Sequence, residues 1–360
     1  MEQKKAMIAM SGGVDSSVAA QLMLDAGYQC MGATMRLYDG ENPETPNSCC
    51  SEDHAEDARS VARKLGIPFH VFNCKAEFDE KVIRNFISCY EVGLTPNPCI
   101  QCNRHLKFDH MLRLAQTLGY EYLVTGHYAR VCYDDATGRY LLKKAADPSK
   151  DQSYVLYCIN QEQLAHILFP LGELTKQEAR AIAEKAGLIT AHKQDSQDIC
   201  FVPDGDYAGF MERYTAKKYP SGDFLDLDGK VVGKHNGAIR YTLGQRKGLG
   251  LAMGAPVYVC AKDMAANTVT VGPNEALFHR ALRAVDWNWF PFPELSGPIR
   301  VMARHRYNQK EQPATVYPEE NGAARVVYDE PQRAITPGQA VVLYQDDLVI
   351  GGGTITEVLE

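Results

Sequence analysis

From Lys5 to about Asp135 the chain alternates short apolar runs with amphipathic segments, and no other feature restricts its fold so strongly. AMIAM, QCMGATMRLY, PFHVFNC and YLVTGHY read as strands. Between them SVAAQLMLDAG, EDHAEDARSVARKLG, EFDEKVIRNFISCYEVG and HLKFDHMLRLAQTLG carry apolar residues at helical spacing. Strands that alternate with helices form a parallel sheet covered on both faces. Ligands of such sheets bind beyond the carboxyl ends of the strands. AMIAM runs into Ser11 and YLVT into Gly126, so both loops are expected on that rim.

The pattern then changes twice. From about Ser153 to Gly187 the chain reads as helical, with a further helix at DYAGFMERY. From about Ser221 glycines become frequent and short valine- and tyrosine-rich runs appear, which predicts a small β-rich module. From about Ala281 the alternation PIRVMARHRY, PATVYP, ARVVYD and AVVLYQDDLVIGGGTI predicts a β-barrel or sandwich. The expected architecture is an α/β parallel-sheet domain over residues 1–205, a small β-rich central domain over 206–278 and a C-terminal β-barrel over 279–360. No apolar run reaches the roughly 18 residues of a membrane span. MEQKKAMIAMSGG has too short an apolar stretch for a targeting segment, so a cytoplasmic location without membrane contact is expected.

Ser11-Gly12-Gly13-Val14-Asp15-Ser16-Ser17 lies between the first strand and the first helix. Glycines admit close backbone approach to a polyanion. The N–H groups that open the helix favour phosphate, Ser16 and Ser17 offer hydroxyls, and Asp15 is a candidate ligand for phosphate-bound magnesium. No GxxxxGK[ST] string occurs. SGGVDSS instead resembles the PP-loop of the ATP pyrophosphatases, which cut ATP between the α and β phosphates and leave AMP on an activated oxygen.

Eleven cysteines, an odd number, do not suggest a disulfide framework. Cys30, Cys74, Cys89, Cys132, Cys158 and Cys260 have apolar or aromatic neighbours and read as small core residues. Cys99 and Cys102 lie in TPNPCIQCN, and Cys200 in DSQDICF. Cys102 precedes a helix expected to start near His105, beside Arg104. Both a helix N-terminus and cations lower a thiol's pKa and suit a thiolate nucleophile. Structural zinc at CxxC would need two more ligands, and no second CxxC or HxxxH supplies them. An ATP-activating loop with two distant loop cysteines suggests sulfur relay, in which one cysteine carries a persulfide and the other closes a disulfide by thiol exchange.

With TPNPCIQCNRHLKF, TGHYAR, KDQSYVLY, DSQDICF, YTLGQRKGLG and RHRY in this order after SGGVDSS, essentially the whole chain resembles the bacterial tRNA-specific 2-thiouridylases. The resemblance implies that Ala9, Met10, Ser11, Gly12, Gly13, Val14, Asp15 and Ser16 hold ATP with Met35 and Gly126. It implies Cys102 as nucleophile and Cys200 as persulfide carrier. Asn97, Pro98 and Cys99 would lie against the target base, and Lys150, Asp151, Gln152, Arg306 and Tyr307 would touch tRNA. The implied reaction is 2-thiolation of the wobble uridine U34 of tRNA Lys, Glu and Gln, with ATP and Mg2+ as cofactors. The sulfur donor would be a cysteine desulfurase or a sulfur-relay protein. Many relatives carry Asp where this chain has Cys99, a candidate acid/base group. Cys99 also completes a three-thiolate set with Cys102 and Cys200, so a [4Fe–4S] cluster is an alternative sulfur route. Cys49-Cys50 matches a family string without an assigned role.

The net charge of −7 requires RNA contact to come from local patches. Lys143-Lys144 with Lys150, Lys217-Lys218, Arg240 with Arg246-Lys247, and Arg300, Arg304, His305 and Arg306 with Lys310 are the candidates. The last two have Tyr241 and Tyr307 nearby, a combination suited to splayed RNA bases. Two rival readings are a PP-loop enzyme that adenylates a small molecule and a tRNA-binding protein that uses nucleotide as a switch.

Overall fold

The computed structural model describes residues 3–38, 52–193 and 199–360. Cys49, Cys50 and Asp195-Ser196-Gln197-Asp198 of the DSQDICF string lie outside the described residues.

Four strands and one helix frame the N-terminal layer: β1 (Lys5–Ala9), α1 (Val14–Asp25), β2 (Gln29–Arg36), β3 (Phe69–Asn73) and β4 (Tyr122–Val124). They make a parallel sheet in the order β3-β2-β1-β4, with Ile167–Leu168 added beside β4. That last strand falls inside the stretch expected to be wholly helical. It is two residues long, too short to show a period, and only its pairing with Leu123 and Val124 makes it a strand. Met7 faces one apolar layer with Phe78, Leu106 and Phe108, while Ile8 faces the other with Val18, Ala58 and Ala62. Two-sided burial explains why β1 is apolar throughout.

Gly222–Leu225, Val231–His235, Tyr258–Asp263 and Thr268–Gly272 form the four-stranded central sheet around Phe224, Tyr241 and Val269. The C-terminal strands Phe278–Trp289, Ile299–Arg304, Gln312–Pro318, Ala324–Arg333, Ala340–Gln345 and Leu348–Leu359 close a six-stranded barrel, because the first pairs with the last as well as with Ala324–Arg333. Closure removes the exposed edges that an open sheet would leave. A hairpin from the N-terminal part, Arg130–Asp134 with Arg139–Lys143, joins this sheet through Leu348 and Lys143.

Arg304 ties the barrel to the N-terminal part of the chain. Its guanidinium stacks over Tyr154 at 5.1 Å and Tyr344 at 5.2 Å, donates to the Tyr344 hydroxyl at 2.8 Å, and lies 3.6 Å from the Asp151 carboxylate. The two charged side chains are only 13% and 7% exposed, so water screens them little. Arg304→Ala is expected to lower unfolding stability by about 2–3 kcal/mol in urea titration, because it strips a partner from a buried carboxylate and two cation–π contacts. A change under about 0.5 kcal/mol would place this junction among ordinary surface contacts.

Candidate active site

The loop after β1 is built by close packing. Gly12 has φ +72°, and a Cβ there would stand 2.2 Å from the carbonyl oxygen of His54. The Ser16 hydroxyl donates to the Gly13 carbonyl at 3.1 Å and accepts from the Ser11 N–H at 3.2 Å, which fixes the turn into α1. Ser17 is different from the phosphate donor expected of it. It is fully buried, donates to the Gly13 carbonyl at 2.9 Å and accepts from the Thr190 hydroxyl at 3.0 Å. The TGHY turn lies on this loop so closely that a Cβ on Gly126 would meet the Asp15 carbonyl carbon and Ser16 nitrogen at 2.7 Å. Asp15 accepts from the Tyr128 hydroxyl at 2.8 Å, and both of its carboxylate oxygens accept from Lys176 Nζ at 2.7 and 2.8 Å.

Ala9, Met10, Ser11, Gly12, Gly13, Val14, Asp15, Ser16, Met35 and Gly126 all line one cavity of about 690 Å³ at the carboxyl rim of the sheet. Its walls also carry Pro98, Cys99, Cys102 and Cys200, together with Lys150, Gln152 and Tyr307. A nucleotide-sized space therefore opens on the cysteines from both sequence strings.

The helix that carries two of these cysteines begins earlier than its apolar spacing predicts. It starts at Pro98, not near His105, and continues to Thr117 with a π-helical segment over Cys102–His110. Asn97 is the N-cap, its side-chain oxygen accepting from the Cys99 N–H at 3.1 Å, and Pro98 stands at the first helical position. The first turn thus presents Cys99, which is exposed, whereas Cys102 is one turn inside and nearly buried. The helix N-terminus therefore stands at Cys99, and Cys102 does not occupy the place before the helix that its sequence suggested. π-helical segments recur at functional sites, and here one begins at the proposed nucleophile. By contrast, burial pushes the Cys30, Cys74 and Cys158 thiols up to about 11, as expected of core cysteines.

Sequence reasoning missed several wall residues. His127 Nδ1 lies 2.7 Å from the Thr125 hydroxyl, and its ring meets Phe108 and Phe169. Burial and then the Lys107 charge hold this imidazole well below its usual range, so it is neutral at pH 7. His54 and Lys193 also line the cavity. The TGHY string points to its glycine, and nothing local in the sequence marks His127, which reaches the wall only through the fold.

The residues assigned to tRNA separate into two sets. Pro98, Cys99, Lys150, Gln152 and Tyr307 reach the cavity. Gln152 also accepts from the Tyr128 N–H at 2.9 Å, and Tyr307 is 41% exposed at the mouth. Asn97 caps its helix, and Asp151 accepts from Ser153 and from the Ala145 N–H. Arg306 Nη2 donates to the carbonyls of Leu243 and Ala334 and to Thr336, binding the central module to the barrel. Other charges of the basic clusters are similarly engaged: Lys144 with Glu311, Lys217 with Glu91, Arg240 with Glu212, and Arg300 with Asp329. Among the described residues, no group of three or more His, Cys, Asp or Glu side chains could hold a metal ion. Cys99, Cys102 and Cys200 share the cavity wall without making a cluster-binding set.

Three family models match in sequence order: a tRNA methyl transferase HUP domain over residues 4–204, a tRNA methyl transferase PRC-barrel domain over 208–273 and an aminomethyltransferase β-barrel domain over 279–355. The chain is 51% identical over 358 residues to the tRNA-specific 2-thiouridylase MnmA of Acetivibrio thermocellus, covering 99% of this chain and 100% of that one. It is 52% identical over 356 residues to the MnmA of Moorella thermoacetica, covering 98% and 100%. The chain belongs to the MnmA family. The MnmA of Clostridioides difficile is 48% identical over 357 residues, covering 99% of each chain. As an MnmA-family member, the chain brings Gly12 of its N-terminal loop and Tyr307, between two barrel strands, into the wall of one cavity.

Proposed function

We propose that this chain is an ATP-dependent tRNA sulfurtransferase that converts the wobble uridine U34 of tRNA Lys, Glu and Gln to 2-thiouridine. The observation that carries the reading is the shared cavity, in which the phosphate loop and Cys99, Cys102 and Cys200 form one wall system. ATP would lie along Ala9–Ser16 with Met35 and Gly126 beside it. The target base must leave its stack to enter such a pocket.

Uracil O2 attacks the ATP α-phosphorus, the bond between the α-phosphorus and the bridging oxygen breaks, and pyrophosphate leaves with the electron pair. The N–H groups at the start of α1 stabilise the developing charge. The terminal sulfur of a Cys200 persulfide then attacks C2, and AMP departs with the former uracil oxygen. Cys102 thiolate attacks the Cys200 sulfur and breaks the S–S bond, so the outer sulfur remains on C2. The resulting Cys102–Cys200 disulfide needs two electrons from a thiol reductant before the next turnover. Cys99, exposed at the helix N-terminus, faces the base in this scheme, and neutral His127 stands in the same cavity wall.

Magnesium would screen the phosphates when bound. Asp15 could reach it only by exchanging the Lys176 contact for the ion. The [4Fe–4S] alternative is less well supported, since the three thiols do not gather into a metal-binding group. The sulfur donor is proposed to be a cysteine desulfurase or a relay protein, and the site of action the cytoplasm. Among the described residues no helix is long and apolar enough to cross a membrane.

The test is ATP-dependent thiolation of an unmodified tRNA-Glu transcript with a persulfide donor, read by mercury-gel retardation. Iron-free protein is expected to thiolate it. Activity only after anaerobic iron reconstitution would transfer the role of the cysteines to a cluster. Pyrophosphate release driven by a small metabolite without tRNA would instead support the small-molecule reading.

A further inference from the structure

Lys193 precedes Cys200 by seven positions in the sequence, in a string that drew no functional reading. Its ammonium reaches back to the phosphate loop. Nζ donates to the Gly12 carbonyl at 3.1 Å and to Asp57 Oδ2 at 2.6 Å, and the side chain lines the cavity beside Ser11–Ser16. The approach is built from several sides. The Arg180 guanidinium holds the carbonyls of Ala191 at 2.9 Å and Lys193 at 3.2 Å. Thr190 bonds Ser17 at 3.0 Å, and Lys176, at the start of the same helix as Arg180, grips Asp15. The segment from Lys176 to Lys193 is thus fastened to the loop and α1 at three points.

A lysine ammonium on a carbonyl and one exposed carboxylate is a replaceable arrangement. Asp57 is 36% exposed, so the pair is weakly held and screened by water. A polyphosphate entering the loop offers the same ammonium a higher negative charge a short distance away. We propose that Lys193 is a leaving-group residue for the adenylation step: it exchanges Asp57 for the β and γ phosphates of ATP and stabilises the charge that collects on pyrophosphate. The inference rests on the ATP-dependent reading above. As the bond between the α-phosphorus and the bridging oxygen breaks, the electron pair goes to the β-phosphate oxygen. Lys193 keeps its proton and donates a hydrogen bond to that group. Asp57 is only the resting partner of the ammonium and takes no part once ATP is bound.

The test isolates the first chemical step. In a Cys200→Ser background, tRNA-dependent pyrophosphate release is measured in single turnovers with ATP and an unmodified tRNA-Glu transcript, alongside thermal unfolding of each variant. Lys193→Met is expected to slow release by about 100-fold or more, the typical effect of losing one charge-stabilising donor. The ATP concentration for half-maximal rate should change far less than the rate itself. Lys193→Arg keeps the charge and should recover at least a tenth of the rate. Asp57→Asn removes the resting partner only and should stay within about threefold of the parent, since rim charges contribute little. Equal losses in Lys193→Met and Asp57→Asn, or failure of Lys193→Met alone to fold with Lys193→Arg no better than a tenth of a percent, would assign the pair to scaffolding and overturn the proposal. Normal release by Lys193→Met would overturn it as well. Absence of tRNA-dependent release in the parent would instead remove the ATP-dependent reading and this inference with it.

Discussion

Cys102→Ser is expected to lower single-turnover tRNA thiolation by about 10³-fold or more, because a residue that acts as one unit with its partner leaves little residual rate when removed. The hydroxyl is a far weaker nucleophile toward sulfur than a thiolate, so the persulfide intermediate cannot be resolved. The structure makes this substitution clean. Cys102 is 8% exposed, lies one turn inside the helix Pro98–Thr117 and contributes to the apolar layer with Leu106 and Phe108. Serine fits the same volume, and the phosphate loop stands on a different element. ATP affinity should therefore stay within about threefold, which is under 1 kcal/mol. Parallel loss of ATP binding would show that the cysteine helix shapes the nucleotide site and would undo the proposed division of roles. Cys158→Ser provides the contrast: its thiol is buried, contacts the Ile100 carbonyl at 3.7 Å and should be dispensable for sulfur transfer.

Gly126→Ala should produce the second large effect, on ATP rather than on sulfur. The added methyl would stand 2.7 Å from backbone atoms of Asp15 and Ser16, where no flexible side chain can yield. Either the TGHY turn or the first turn of α1 must move. Overpacking of this kind costs about 1–3 kcal/mol, which corresponds to a loss of roughly 5- to 150-fold in ATP affinity by calorimetry if the strain falls on the loop. Gly297→Ala, where a Cβ meets nothing within 4 Å, is the control and should bind ATP normally. Affinity within twofold of the parent in Gly126→Ala would mean that the turn gives way and the loop does not depend on it.

Much of the candidate site was legible because its signals are local. SGGVDSS between a strand and a helix, and glycine directly after YLVT, describe short stretches whose backbone geometry depends on neighbours in sequence. Cysteine surroundings were readable in part: the apolar runs around Cys30, Cys74 and Cys158 do bury them, whereas Cys89, Cys132 and Cys260, read the same way, are only partly buried. The start of the cysteine helix was not read correctly. Apolar spacing placed it near His105, whereas Asn97 capping and proline at the first helical position start it at Pro98.

The sequence by itself determined the alternating layer, the phosphate loop at its rim and the β character of the last third, because periods of 2.0 and 3.6 residues and turn residues act over a few positions. Only the tertiary structure decided what the charges do. Lys176 meets Asp15 across 161 residues, Lys193 meets Gly12 across 181, and the hairpin strand Arg139–Lys143 finds its neighbour in Leu348–Leu359. Arg304 and Arg306, read in sequence as part of a basic RNA patch, became a cation between two tyrosine rings and a clasp between modules. A charge in a sequence has no fixed partner; burial at a junction forces it to find one, and the fold chooses which.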